Sequence, residues 1–169
     1  MKPSATSPQG SSSISLAAFV AGTALLAGTL DITAAMTNYV ISTGKNPLQV
    51  LSYVASGVFG KSAFSGNPAM LAWGLFFHYC IALLVTSFFF WLSPRVGWLG
   101  RHKVLAGLLY GVGVWVVMNL LVVPSSQAPT PAFNPQQAFI NAVILMVCIG
   151  LPISWSAAHY FAGRRTVNS

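Results

Sequence analysis

The chain has 169 residues, 55% hydrophobic and only 5% charged, with a mean hydropathy of +0.71. A soluble domain carries roughly 25% charged residues, so a water-covered globular domain is excluded. Eight Lys and Arg stand against a single acid, Asp31; the basic residues lie singly or in pairs between apolar runs, as the flanks of membrane spans do, and no aromatic–basic cluster or nucleic-acid motif goes with them, so nucleic acid is not an expected partner.

Residues 1–13, MKPSATSPQGSSS, are polar and rich in Ser and Pro, and predict a disordered amino-terminal tail. Apolar sequence then runs over 14–41, longer than the roughly 20 residues that cross the hydrocarbon core. Lys2 ahead of an apolar stretch is also how a signal peptide begins. This run is long for that role and continues past Asp31 without a cleavage site, so it reads as the first span.

Residues 42–68 form the first loop. Asn46-Pro47 suits a helix start, with Asn as cap and Pro in the first turn. Leu48, Leu51, Val54, Ala55, Val58 and Phe59 follow at helical spacing, with Gln49, Ser52 and Ser56 between them, and Gly60 can close the helix. A helix over about 47–59 is too short to span. It belongs in the interface or dips in as a re-entrant segment.

The second span covers about 69–92 and stops at Ser93-Pro94-Arg95. A short loop carries Arg95, Arg101, His102 and Lys103. The third span covers about 104–123 and closes on Pro124. A proline-rich, uncharged loop leads to the fourth span, about 138–161, and a short tail over 163–169 begins with Arg164 and Arg165. Backbone groups in lipid must be paired internally, so each run should be α-helical. The expected fold is therefore all-α: an integral membrane four-helix bundle, one transmembrane domain over 14–162, with a short interfacial or re-entrant helix in the first loop.

Four spans put the amino terminus, the second loop and the carboxyl terminus on one side with Lys2, Arg95, Arg101, Lys103, Arg164 and Arg165. The other side keeps Lys45 and Lys61. The asymmetry predicts both termini in the cytoplasm.

The first span has a face of small and polar residues at spacings of three or four: Ala17, Ala21, Ala24, Gly28, Asp31, Ala35 and Asn38. Small residues let helices approach closely where lipid offers no hydrophobic gain. Asp31 within a span costs about 2.5–3.5 kcal/mol on insertion scales if charged, so it must face the bundle, be protonated or find a partner. His78 on the second span shares a face with Gly74 and Ala82. By helix rise, Asp31 and His78 each lie about 5 Å to the same side of their spans' midpoints, and Asn119 and Asn141 fall in the same half. Asp31, His78, Asn119 and Asn141 thus form a candidate intramembrane polar cluster, either a functional cavity or interhelical glue.

Gly107 and Gly111 make a GxxxG match, which serves either a homo-oligomer contact or packing within the chain. With Ala24 and Gly28 they are the candidate helix-packing positions. Gly150-Leu-Pro152 should kink the fourth span. Cys80 and Cys148 have neither a CxxC nor a metal spacing. His78 and His159 differ by roughly 20 Å in depth, too far to share a haem or metal. No cofactor is expected, and no catalytic motif is present.

GTLDITAA (28–35), ASGVFGKSAF (55–64), FHY (77–79), GLLYGVGVWVVMNLLVVP (107–124) and CIGLPIS (148–154) resemble a group of small, uncharacterised bacterial inner-membrane proteins. The GLLYG…NLLVVP stretch is also distantly similar to the YagU-like inner-membrane family. The resemblance implies a bacterial inner-membrane location and carries over no site residue. The leading functional expectation is a structural or interaction protein surrounded by membrane lipid. The alternative is a small transporter or channel, its cargo unnamed, with a polar site around Asp31 and His78.

Overall fold

The computed structural model of the protein describes residues 15–130 and 132–167. The expected amino-terminal tail over 1–13 lies outside them. Among the described residues there is no strand, and four helices are long and apolar enough to cross a membrane. Helix α1 is Leu16–Thr43, α2 is Gln49–Phe59, α3 is Pro68–Leu92 and α4 is the short Gly97–Arg101. Helix α5, Lys103–Ser125, widens into a π turn over Met118–Val122. Helix α6 runs from Pro135–Leu145 through a second π turn, Met146–Gly150, into Leu151–Val167. The helix thus takes up most of what reads as a tail beyond residue 163.

Large apolar side chains face outward on every long helix: Leu84 is 70% exposed and Leu120 71%. In water such surfaces would associate. Against lipid they are at home, and the chain is a multi-pass membrane protein built as an all-α four-helix bundle.

Three Asn-Pro pairs start helices at the same end of the bundle. Asn46, Asn67 and Asn134 each accept, through Oδ1, the backbone N–H two residues on, at 2.9, 2.9 and 3.0 Å. Each cap satisfies a donor that has no intrahelical acceptor, and the proline that follows has no N–H to lose. For α2 the first helical residue comes two positions after Pro47, at Gln49. Gly44 (φ 66°) closes α1 and Gly60 (φ 57°) closes α2, conformations that glycine adopts without a Cβ penalty.

Both π turns sit two residues ahead of a proline, Pro124 in α5 and Pro152 in α6. Proline removes a backbone donor and pushes on the carbonyl four residues back; widening the preceding turn relieves both effects. The expected disturbance at Pro152 therefore takes the form of a π turn.

The bundle is held at the basic end, where α4 joins α3 to α5, by large rings. Phe89, Phe90, Ile149, Ile153, Val20, Ala27 and Ala157 form one buried cluster, with Phe19, Tyr110, Tyr160 and Phe161 packed against it. Tyr160 packs tilted or edge-on among Phe19, Phe90 and Phe161.

The candidate packing positions Ala24, Gly28, Gly107 and Gly111 are all buried. A Cβ on Gly107 would lie 2.8 Å from the Gly150 carbonyl oxygen, and one on Gly111 2.8 Å from that of Leu145. The GxxxG pair thus seats α6 against α5 within the chain. On α1 the buried positions are Val20, Thr23, Ala24, Ala27, Gly28 and Ile32. Ala17 and Ala21, expected on the packed face, are exposed. Because α1 touches both α3 and α6, its buried surface is broader than one stripe and is set near the basic end by Phe19 and Val20.

Candidate functional site

The site is a cavity of about 330 Å³ in the half of the bundle away from the basic end. Asp31 reaches it from α1, and His78, Ile81 and Val85 from α3. Val114, Met118 and Val122 line it from α5, Leu145 and Ile149 from α6. Both π turns contribute to the wall. Helix α2 closes one side with Tyr53, Val54 and Gly57, against Ser126 of the loop after α5.

The closure by α2 has a specific cause. A Cβ on Gly74 would run into the backbone carbonyl of Leu51, so this glycine lets α2 lie directly on α3. The face α2 turns inward carries Leu51, Ser52, Ala55 and Ser56. Leu48 and Val58, which spacing alone assigns to the buried stripe, are exposed. Small side chains win because the helices are so close, and Ser56 Oγ satisfies itself by donating to the Tyr53 carbonyl at 2.6 Å. The far edge of α2 is tied down by the Gln127 N–H, which donates to the Gly57 carbonyl at 3.0 Å.

His78 Nε2 lies 2.8 Å from the Gly28 carbonyl oxygen. A carbonyl only accepts, so Nε2 carries the proton and donates. In a neutral ring Nδ1 is then the basic nitrogen. Gly28 is one helical turn before Asp31, so the bond sets the imidazole beside the acid, within electrostatic reach of its carboxyl. Gly28 is tight against α3 as well: a Cβ there would meet Ala82 Cβ at 3.1 Å and the Tyr79 ring at 3.2 Å. Tyr79 Oη and Thr29 Oγ1 are 2.9 Å apart. Thr29 spends its own proton on the Leu25 carbonyl, which makes Tyr79 the donor between them. Glycine, tyrosine and histidine together lock the α1–α3 register around Asp31.

The four-residue cluster expected from depth is brought together only in part. Asp31 and His78 share the cavity; Asn119 and Asn141 do not line it. Asn119 is exposed and donates to the Trp115 carbonyl of its own helix at 2.9 Å. Asn141 belongs to a separate amide group, in which Asn38 Nδ2 donates to Gln137 Oε1 at 3.1 Å and Asn141 Oδ1 at 3.3 Å. That group joins α1 to α6 and is interhelical glue.

Two titratable cavity-lining residues lie outside the expected set, Tyr53 and the free thiol Cys80. Cys148, a second free thiol on α6, does not line the cavity but is within electrostatic reach of Asp31. Tyr53 lines the cavity from α2, and burial holds its phenol above the ordinary value, so it stays a neutral O–H. The signal for Tyr53 was its polar-tipped ring, the one phenol on the short helix α2. No sequence signal singles out Cys148, since an apolar-run cysteine is most often a packing residue.

Compared with protein-family models, with curated proteins and with solved structures, the chain matches none. What the site can do is therefore read from its chemistry. It offers one acid, one imidazole with a fixed tautomer, one phenol, the Cys80 thiol and the Ser126 hydroxyl in an otherwise apolar wall. Such a wall favours an apolar body, and the acid favours a proton or a positive charge upon it.

Proposed function

We propose that this chain is a small transporter of the bacterial inner membrane that binds a protonatable or cationic small solute at Asp31. The observation that carries this reading is that the protein's only acid opens, beside His78, into a cavity of about 330 Å³ between the helices. That volume lies within the roughly 300–1,000 Å³ of small-molecule sites. Among the described residues lining the cavity, His78 is the one side chain able to carry a compensating positive charge. A bound cation compensates the carboxylate, and a proton delivered to Asp31 removes the attraction and lets the cation leave. His78, held by Nε2 on Gly28, keeps Nδ1 to accept or pass that proton.

The test is solute-driven proton movement in proteoliposomes containing the full chain, using a panel of lipophilic amines. Wild type should show flux, Asp31→Asn should abolish it, and His78→Gln should reduce it by about 10²-fold, the low end for loss of a positioned acid–base group. Absence of any flux with wild type, or unchanged flux in Asp31→Asn, overturns the reading and leaves the structural or interaction role. We place both termini in the cytoplasm on the six-to-two distribution of basic residues. A carboxyl-terminal reporter active only on the outer side would reverse that orientation.

A further inference from the structure

At the basic end, a groove of about 990 Å³ opens between the end of α3, α4, the start of α5 and the last turns of α6. Its walls include Pro94, Trp98, Ala158 and Phe161, and its cations are Arg101 and Lys103. A shallower depression of about 410 Å³ on the other side of the α4–α5 joint shares the same two cations and is bounded by Leu105 and Trp155. The two basic residues therefore stand at a rim common to both hollows, each backed by apolar surface.

The charges at this rim are not balanced from within. The sequence contains one acidic side chain, Asp31, and it belongs to the other cavity. Arg95, in the same loop, is already placed: it donates to the Trp91 carbonyl at 2.5 Å and lies 4.1 Å over the Trp91 ring. Arg101 and Lys103 have no carboxylate partner among the described residues. Anionic charge for them has to come from outside the described chain. A small inorganic anion would use the cations and leave the aromatic and aliphatic walls unused. A phosphodiester attached to a glycerol and acyl chains uses both. The apolar side of the shallower hollow includes Trp155, which is 57% exposed on the outward-facing surface, where lipid chains lie.

We infer that this groove is a binding site for an anionic phospholipid, with its phosphate on Arg101 and Lys103 and its upper acyl region against Trp98 and Phe161. Arginine supplies a fork that matches phosphate oxygens, and lysine a point charge. Basic pockets of this kind between membrane helices select anionic head groups. The site is independent of the Asp31 cavity and stands whether or not the chain transports anything.

The experiment is a lipid titration of the full chain, purified in neutral detergent and read by native mass spectrometry, with phosphatidylglycerol against phosphatidylcholine. Phosphatidylglycerol should bind preferentially. At roughly one kilocalorie per basic residue, Arg101→Gln or Lys103→Gln alone should weaken it about fivefold and the pair about thirtyfold. Lys45→Gln with Lys61→Gln removes the same charge at the opposite end and should change binding less than about twofold. Arg101→Lys with Lys103→Arg keeps the charge and should hold binding within a few-fold. If the double glutamine variant does not fold, the two single variants carry the test. Equal binding of phosphatidylcholine, or equal loss in the Lys45/Lys61 variant, overturns the inference. Displacement of phosphatidylglycerol by equimolar inorganic phosphate overturns the lipid assignment in favour of a free anion.

Discussion

The two halves of the bundle solve different problems. Toward the basic end the interior is filled: Phe89 and Ile153 are fully buried, rings from α1, α3 and α6 interlock, and the backbones of α5 and α6 touch at Gly107 and Gly150. Toward the α2 end α5 carries its π turn, the walls part around a cavity, and amide and hydroxyl hydrogen bonds help join α1 to α3 and α6. Close packing is where a bundle in lipid gets its cohesion, because lipid supplies no hydrophobic drive between helices. A cavity forfeits part of that cohesion. The solid half holds the fold so that the other half can stay open around Asp31.

The sharpest way to break this contrast is Asp31→Asn, which removes the charge and keeps the volume. Solute flux should fall to the empty-liposome level while the melting temperature stays within a few degrees of wild type. A lost fold would instead make Asp31 a structural residue and erase the distinction between the halves.

Next in size is added volume on each side. Gly150→Ala puts a Cβ into the Gly107 carbonyl, a backbone that cannot move aside. The expected loss is about 1–3 kcal/mol, read as a lower melting temperature in detergent. Gly74→Ala should cost a similar amount and also lift α2, exposing its ends to protease. In contrast, Val54→Phe adds more atoms but points them at the cavity. It should be neutral, or stabilising by about 0.5–2 kcal/mol as cavity-filling changes are, while blocking solute binding. Equal destabilisation by Gly150→Ala and Val54→Phe would show that the cavity is as tightly packed as the Gly–Gly crossing.

The sequence made the helices legible because apolar runs of span length, with Pro and basic residues at their ends, leave few alternatives in lipid. It made Asp31 and His78 legible because helix rise converts residue number into depth. Depth says nothing about rotation around the helix axis, and that is why Asn119, at a compatible depth, faces outward and bonds its own helix. The π turns were hidden for a related reason. Pro124 and Pro152 mark where a helix is disturbed, but whether it kinks or widens depends on what packs there. The seat of α2 depended on Gly74 meeting the Leu51 backbone, a tertiary fit between elements that no periodicity encodes.

The smallest expected effects test the amide group against the cavity pair. Asn38 donates to two acceptors on α6, and interhelical hydrogen bonds in membranes average about 0.6 kcal/mol. Asn38→Ala should therefore cost about 1 kcal/mol, and Asn141→Ala about half as much, since Gln137 remains to receive Asn38. Asn119→Ala removes only a bond within its own helix and should leave stability unchanged to within about 0.5 kcal/mol, as exposed substitutions do. None of the three should alter flux, because none lines the cavity. A flux defect in Asn119→Ala with an unchanged melting temperature would return that residue to the site and extend the solute path from the cavity to the outer surface of α5.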